Sequence, residues 1–231
     1  MWYYNIKMHH SKISVDEYYH LCSRGVAKQN IFIDDRDYAR FLLLILYFQS
    51  PVNLFNLSRP VSRFVRSQTF NIPKDTTEKI IKQRTVELNA FCLMPNHFHL
   101  VVREVEESGI AKFTQRVLTA YAKYFNTKYK RSGHVFENLY RAVHIGDNDQ
   151  LLYTSAYIHK NPLDLKKNYE SYLWSSFSDY AGTNKQGGLL VPEIILDQFN
   201  DKKDYAKWVK ETTAKELQTE LEDSLPELLE V

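Results

Sequence analysis

A short polar turn joins two apolar segments near the middle of this chain, and the second segment carries two histidines two positions apart. Residues 86–92 form the first segment, and His97-Phe98-His99-Leu100-Val101-Val102 follows the turn Met94-Pro95-Asn96. Both segments have strand composition, so they predict an antiparallel hairpin. Because residues i and i+2 of a strand point to one face, His97 and His99 should lie side by side, with Phe98 in a core.

The two histidines have a possible chemical role. Two neutral imidazoles on a rigid strand form half of a site for a divalent metal. The alternative is a pair of partly exposed strand histidines, because a short motif often occurs by chance. A second element further along the chain, Tyr153 to Pro162, decides between them.

The periodicity of the whole chain predicts an α+β fold. The elements follow in the order strand, helix, strand, strand, helix, strand and a further helix, which is a ferredoxin-like antiparallel sheet with helices on one face, plus an added C-terminal helix and a helical tail. Strands are predicted at 17–24, 86–92, from His97, and at 134–145. Helices are predicted at 35–49, 77–84, from Ser108 to Gly133, and at 147–161. Asp34-Asp35 is predicted to cap the first of these helices, and Asp147 the last.

We predict one main domain over residues 1–180 and a C-terminal extension over 181–231. Residues 50–76 form an insertion, punctuated by prolines and made basic by Arg59, Arg63 and Arg66. Either it is a DNA-binding loop or it is a decoration of this lineage.

The charge is unevenly distributed along the chain. The formal net charge is +2, yet residues 216–231 hold six acidic residues and no basic one. Residues 1–215 therefore carry all 30 lysines and arginines against 22 acidic residues, a formal charge of +8. A basic body with an acidic tail suits a polyanionic ligand. The alternative is a surface that serves solubility, with a solvated tail.

The sequence favours a cytoplasmic setting without a membrane span. The longest apolar run, Phe41 to Phe48, is far too short to cross a bilayer. The N-terminal residues lack the pattern of a signal peptide. Cys22 and Cys92 both lie in strand-like segments, which predicts buried free thiols in a reducing compartment.

The last predicted helix carries a second candidate group. Tyr153, Tyr157 and Asn161 have i, i+4, i+8 spacing and share one face. A phenol, with a pKa of about 10, is a weak nucleophile at neutral pH. It can attack phosphorus where a metal polarises the scissile phosphate. The amide oxygen of Asn161 is a candidate third ligand beside His97 and His99.

Several segments together make the chain recognisable. It resembles the REP-associated tyrosine transposases, a branch of the HUH single-tyrosine, insertion-sequence 200-like transposases. The matching segments occur in family order over residues 17–180. They are Tyr19-His20-Leu21-Cys22-Ser23-Arg24-Gly25, Phe32 to Phe41, Ala90 to Leu100, Tyr121 to Asn126, Arg131 to Phe136, Tyr157-Ile158-His159-Lys160-Asn161-Pro162 and Trp174 to Phe177. The pairing of His-x-His with Tyr-Ile-x-x-Asn-Pro is the most specific feature.

The resemblance implies a mechanism and a partner. It implies that His97 and His99 bind Mg²⁺ or Mn²⁺, that Tyr157 is the nucleophile, and that Asn161 completes the metal site. Such enzymes nick single-stranded DNA beside hairpins of bacterial repetitive extragenic palindromes. They form a 5′-phosphotyrosine link, leave a free 3′-OH and reverse the chemistry to transfer the strand. We expect a nucleoid-associated monomer or homodimer.

Each candidate residue also has a structural alternative. Tyr157 could serve packing alone, Tyr153 is a rival nucleophile one turn earlier, and Asn161 could be a helix cap before Pro162. His20, His134, His144 and His159 are expected in strand, turn or DNA-facing positions. Candidate DNA contacts, each with solvated surface charge as the alternative, are Arg24, Arg59, Arg63, Arg66, Arg116, Lys123 and Arg141.

Two other functions compete with the transposase. One is a catalytically idle, domesticated protein that binds DNA hairpins, and the other is an RNA-binding ferredoxin-like module whose sheet aromatics stack bases. The intact set of His97, His99 and Tyr157 favours the enzyme over both. The acidic tail beyond Lys215 departs from the family pattern, and masking of the DNA groove and assembly are its two candidate roles.

Overall fold

The computed structural model describes residues 13–53, 57–70 and 72–221. These residues contain a four-stranded antiparallel sheet in the spatial order β2-β3-β1-β4. The strands are β1 (Tyr18–Arg24), β2 (Val86–Met94), β3 (His97–Glu104) and β4 (Arg141–Ile145). This is the strand order of the ferredoxin-like fold, so the predicted fold class is confirmed.

The central hairpin forms as the sequence predicts. Two residues, Pro95 and Asn96, connect β2 to β3, and the register pairs Met94 with His97 and Cys92 with His99. Proline suits such a turn because its φ is fixed and it has no amide hydrogen to place in the ladder.

Helices cover both faces of the sheet. Within the described ranges they are α1 (Asp35–Tyr47), α2 (Ser58–Ser67), α3 (Lys74–Lys82), α4 (Gly109–Lys128), α5 (Asn148–Lys160), α6 (Phe177–Ala181), α7 (Glu193–Leu196), α8 (Lys202–Glu211) and α9 (Ala214–Glu220). The helices α1 and α4 cover one face, where Phe98 of β3 lies 4.9 Å from Phe41 of α1 between ring centroids. The added helix α5 packs against β2, β3 and β4 from the opposite face.

Helix ends follow local capping chemistry, with one correction. Asp34 begins α1 with a capping box that includes Asp37, as its position predicts. The long helix α4 ends at Lys128, earlier than the predicted end at Gly133. Lys130 has a φ of 50° and leaves the helical path, and Gly133, with a φ of 90°, serves the loop beyond it.

The predicted strand at 134–145 is too long. Only Arg141–Ile145 pair with β1, and Phe136 makes an isolated bridge to Gly25. The residues between cross the end of β1 as a loop, where the Ser23 hydroxyl donates to the Asn138 carbonyl at 3.2 Å. A regular ladder would need these backbone groups to pair with β1 instead.

The insertion at 50–76 contributes to the core. It contains α2, whose Val61 and Phe64 are buried, and the Phe64 ring lies 5.8 Å from that of Trp174. The next helix, α3, begins at Lys74, three residues before the predicted start. Pro73 stands at its N-cap, where the missing amide hydrogen has little cost.

The C-terminal extension packs on α5 through the helices α8 and α9. Two of the six acidic tail residues, Glu216 and Glu220, lie in α9, and the other four lie outside the described residues. Cys22 and Cys92 are buried and are not joined in a disulfide, as predicted. Among the helices of the described ranges, none combines the length and apolar character needed to span a bilayer.

Candidate active site

A polar row crosses the sheet on the face that α5 covers. Because directly opposed residues of antiparallel strands share a face, the register places Cys92, His99, Cys22 and Arg141 in line across β2, β3, β1 and β4. One step along, Arg24 is opposite His97. This face therefore carries the two candidate metal histidines at the centre of the sheet, as the spacing predicts.

His97 is half-buried at the open end of this face. Its Nδ1 lies 2.7 Å from Oδ1 of Asn96, and its Nε2 lies 3.5 Å from Oδ1 of Asn161. Burial lowers the pKa of His97 to about 4, with a smaller contribution from Arg24, while the contact with Asn161 acts in the opposite direction. The ring is therefore neutral at physiological pH and has a lone pair available for a ligand.

His99 is fully buried one position deeper in the sheet. Its ring is edge-on to that of His97, with centroids 4.9 Å apart, and its Nδ1 lies 2.9 Å from Nε2 of His20 on β1. Burial holds the pKa of His99 well below its usual value, and His97 and His20 add to that effect. Since Nδ1 is engaged by His20, Nε2 is the nitrogen left for a metal.

Tyr157 reaches this face from α5. Asp147 caps the helix by accepting from the Gln150 amide at 2.8 Å, as the sequence predicts. The Tyr157 ring is edge-on to that of His99, with centroids 5.6 Å apart. Burial raises the pKa of Tyr157 to about 12, and a hydrogen bond with Asn161 partly offsets it. The phenol is therefore protonated at neutral pH and depends on its surroundings for activation.

Asn161 contacts both halves of the site. Its Oδ1 faces His97, and its Nδ2 donates to the Tyr157 carbonyl at 3.3 Å. It also occupies the C-cap position of α5, so the cap and the site contact coexist in one residue. Asn161 keeps helical φ and ψ (−47°, −37°) although Pro162 follows, because the chain continues into a 3₁₀ turn over Asn161–Leu165. The usual tendency of proline to move the preceding residue out of helical geometry is not seen at Asn161.

The donor set fits a hard divalent cation. His97, His99 and Asn161 offer two neutral nitrogens and one carbonyl oxygen, which suit Mg²⁺ or Mn²⁺ when phosphate oxygens supply the remaining ligands. A second group shares His99: donor atoms of His20, Cys22 and His99 lie within 4.8 Å of one another, all buried. We favour the first set because His97 is partly open to solvent, whereas the thiol of Cys22 is a soft, buried donor.

The candidate DNA contacts fall in three places. Arg24 and Arg141 lie on the site face, and Arg24 pairs with Glu137 at 3.3 Å. The α2 arginines Arg59, Arg63 and Arg66 line an exposed groove of about 330 Å³.

Two candidates lie on α4, across the sheet from Tyr157. Lys123 is exposed. Arg116 already donates to the carbonyls of Ser50 and Val52 and stacks on Phe48, so its charge is engaged inside the protein. This arrangement gives Arg116 a structural role in holding the start of the insertion.

The rival tyrosine has different neighbours. The Tyr153 ring lies 5.5 Å from that of Trp208 on α8, and both Tyr153 and Tyr157 pack against buried Leu221. Tyr157 contacts His99, whereas Tyr153 lies one turn earlier on α5 and contacts Trp208 of α8. The geometry therefore favours Tyr157 as the group next to the histidines.

Two neighbours of the histidines were not singled out from the sequence. His20 was expected in a strand, turn or DNA-facing position and instead contacts His99, and Asn96 was treated only as a turn residue. The alternation in β1 places His20, Cys22 and Arg24 on one face, but that face meets the histidines only through the β1–β3 register.

The comparisons with known proteins give a family match over the middle of the chain. Residues 62–161 match the family described as "Transposase IS200 like". The predicted resemblance to the IS200-like transposases is confirmed over this segment. The segment contains His97, His99, Tyr157 and Asn161 together.

Among solved structures, the chain is similar to that of a REP-associated tyrosine transposase bound to a REP hairpin. The sequence identity is 12%, the TM-score is 0.49, and the match covers 75% of this chain and 84% of that chain. The comparison with curated proteins gave no match.

Proposed function

We propose that this protein is a metal-dependent endonuclease and strand transferase that acts on single-stranded DNA at hairpins of repetitive palindromes. The observation that carries the proposal is the meeting of Tyr157, His97, His99 and Asn161 on one sheet face inside a segment that matches the IS200-like transposase family. One strand, β3, and one helix, α5, bring these groups together.

The chain's own residues would divide the work. His97, His99 and Asn161 would hold Mg²⁺ or Mn²⁺, which supplies positive charge to polarise the scissile phosphate. The oxygen of Tyr157 would attack phosphorus and lose its proton as the phosphotyrosine bond forms. The bond to the 3′ oxygen would break, and that oxygen would take up a proton. The reverse reaction would rejoin the strand without ATP.

Charge around the site supports a DNA substrate. Arg24 and Arg141 lie on the same face as the histidines, where backbone phosphates would pass. The arginines of α2 offer a separate exposed surface for a duplex stem. The reported partner of the similar solved structure, a REP hairpin, has the chemistry that both surfaces would bind.

A nicking assay tests the proposal. Full-length protein is incubated with end-labelled single strands that carry the inverted repeats flanking its own gene, with Mn²⁺ or with EDTA. Cleavage and a covalent adduct are expected only with the metal. His97→Ala should lose both, and His134→Ala, the same change at an exposed turn, should retain them. Binding of these hairpins without cleavage would favour the idle binder.

A further inference from the structure

Each of the two proposed metal histidines has its Nδ1 atom held by a neighbour. Oδ1 of Asn96 lies 2.7 Å from Nδ1 of His97, and Nε2 of His20 lies 2.9 Å from Nδ1 of His99. An amide oxygen can only accept, and Oδ1 of Asn96 at 2.7 Å is much nearer than Oδ1 of Asn161, which lies 3.5 Å from Nε2. The shorter contact favours a proton on Nδ1 of neutral His97, which leaves the Nε2 lone pair to join Asn161 in holding a metal. The partner of His99 is another imidazole, which can either donate or accept.

The position of His20 brings its Nε2 to Nδ1 of His99. It is buried on β1, and its ring plane is within 19° of that of His99, with centroids 5.1 Å apart. Nearly parallel rings whose facing nitrogens lie 2.9 Å apart suit an in-plane N–H···N hydrogen bond. Within the described part of the chain, its other nitrogen, Nδ1, has no hydrogen-bond partner. A buried histidine with one unmatched nitrogen is costly to retain for packing alone, so its contact with His99 calls for a functional explanation.

We propose that His20 is a positioning residue for the metal site: when a divalent cation is bound, Nε2 of His20 accepts the Nδ1 proton of His99 and leaves Nε2 of His99 unprotonated. This inference rests on the proposed function. From the opposite tautomer, the His20 proton moves from Nε2 to Nδ1 and the His99 proton moves from Nε2 to Nδ1. No net proton is taken up or released. Partners of this kind orient a ligand histidine and raise its basicity.

Cys22 provides a competing arrangement. Its thiol lies within 4.8 Å of one ring nitrogen of His20 and one ring nitrogen of His99, and those two nitrogens are equally close to each other. Such a set of two nitrogens and one sulfur suits Zn²⁺ or Co²⁺ better than Mg²⁺. In that arrangement His20 would itself be a ligand and could not accept from His99, so the experiment must distinguish the two.

Two amide substitutions separate positioning from packing. In His20→Gln the amide stands as many bonds from the backbone as Nε2 does, so it can still accept from His99. In His20→Asn the amide is one bond shorter and loses that contact. The dissociation constant for Mn²⁺ is measured by electron paramagnetic resonance on the full chain without DNA. We expect His20→Asn to weaken binding by about tenfold or more and His20→Gln to restore most of it.

Two results of this measurement would overturn the inference. Equal Mn²⁺ affinities in the Gln and Asn variants would make His20 a packing residue. An absence of Mn²⁺ binding by the wild-type protein would remove the inference together with its metal site. Failure of DNA nicking with normal Mn²⁺ binding would overturn the proposed function and leave the role of His20 intact.

A spectroscopic test on the wild-type protein covers the case in which a variant does not fold. Long-range ¹H–¹⁵N spectra recorded with Mg²⁺ should show His99 protonated at Nδ1, and a proton at Nε2 would contradict the proposal. With Co²⁺, a thiolate-to-cobalt absorption band that disappears in Cys22→Ser would assign His20 to the competing N₂S site and overturn its role as an acceptor.

Discussion

The two faces of strand β3 differ in almost every property except their backbone. Phe98 points to the face covered by α1 and α4, where its ring lies 4.9 Å from Phe41 and 6.2 Å from Phe136. His97 and His99 point to the other face, among the His20 imidazole, two thiols and two arginines. Because side chains alternate along a strand, one short segment can stabilise the fold on one face and present chemistry on the other.

Helix α5 also has one side that faces the site and one side that serves the fold, and residues only two positions apart show the difference. Tyr157 meets His99 on the sheet, whereas His159 points toward α8 and is fully buried. The nitrogens of His159 lie 2.7 Å from the Tyr205 hydroxyl and 2.8 Å from the Ser176 hydroxyl. The satisfied network on one side fixes the helix that presents the tyrosine on the other.

Among substitutions at the candidate active site, Tyr157→Phe is expected to have the largest effect on covalent attachment to DNA. The substitution removes the phenolic oxygen and keeps the ring that packs against His99 and Leu221, so covalent attachment to DNA should disappear while hairpin binding remains. A denaturing gel of protein incubated with end-labelled hairpin DNA and Mn²⁺ measures the adduct. Tyr153→Phe is the matched control and should retain it, because Tyr153 contacts α8. An adduct that survives in Tyr157→Phe and is lost in Tyr153→Phe would move the nucleophile one turn.

On the core-facing side of β3, Phe98→Ala is expected to have the largest effect on the free energy of unfolding. Truncating a buried phenylalanine typically lowers the free energy of unfolding by about 3–5 kcal/mol. His97→Ala, at a half-buried position on the same strand, should cost less than about 2 kcal/mol. Urea denaturation compares the two variants. Similar losses of unfolding free energy in the two variants would show that the histidine-bearing face of β3 contributes as much to stability as the core-facing side.

The buried histidines predict a loss of stability in acid. Burial lowers the pKa of both His20 and His159 to about 3, far below the ordinary value of 6.5. Between pH 3 and pH 6.5 these histidines are protonated in the unfolded chain but neutral in the folded chain. Their contribution to the free energy of unfolding is therefore fully present above pH 6.5 and is lost as the pH drops toward 3.

His159→Gln tests this titration without removing all polar contacts. Each such histidine costs about 1.4 kcal/mol per pH unit within the window. The variant should therefore reduce the slope of unfolding free energy against pH by about one proton, as measured by urea denaturation between pH 7 and pH 5. His134→Gln, at an exposed turn, is the control. An unchanged slope in His159→Gln would show that His159 does not govern the acid response.

The sequence predicted what depends on local periodicity. The β2–β3 hairpin, the shared face of His97 and His99, the cap of α5 at Asp147 and the placement of Tyr157 all follow from spacing within one segment. The pairing of this strand pattern with the Tyr-Ile-x-x-Asn-Pro motif then indicated that the two segments meet.

Features that depend on long-range register could not be predicted. His20 and His99 are 79 positions apart, and their contact exists only because β1 pairs with β3 in one particular register. The loop before β4 reads as a strand by alternation, yet it crosses the end of β1. The buried side of α2 is also set by tertiary packing, through Phe64 and Trp174, and not by its basic composition.

The acidic tail provides the smallest expected effect. We predict that the basic body binds single-stranded hairpin DNA with a steep salt dependence, because lysine and arginine contacts release counterions from the DNA. Deleting residues 216–231 removes six negative charges, so hairpin affinity should stay the same or rise. A change of about 0.5 kcal/mol is expected at low salt, and it should shrink as salt screens the exposed charges.

A second truncation separates charge from packing in that tail. Deleting only residues 222–231 removes four acidic residues and keeps α9 and Leu221, which packs against Tyr153 and Tyr157. If charge alone matters, the two deletions should raise affinity in proportion to the charges removed, with parallel salt dependence in fluorescence anisotropy titrations. A several-fold loss of affinity at constant salt in either deletion would make the tail part of the binding surface. A loss confined to the longer deletion would place that role in α9 and Leu221, because both variants lack the remaining acidic residues.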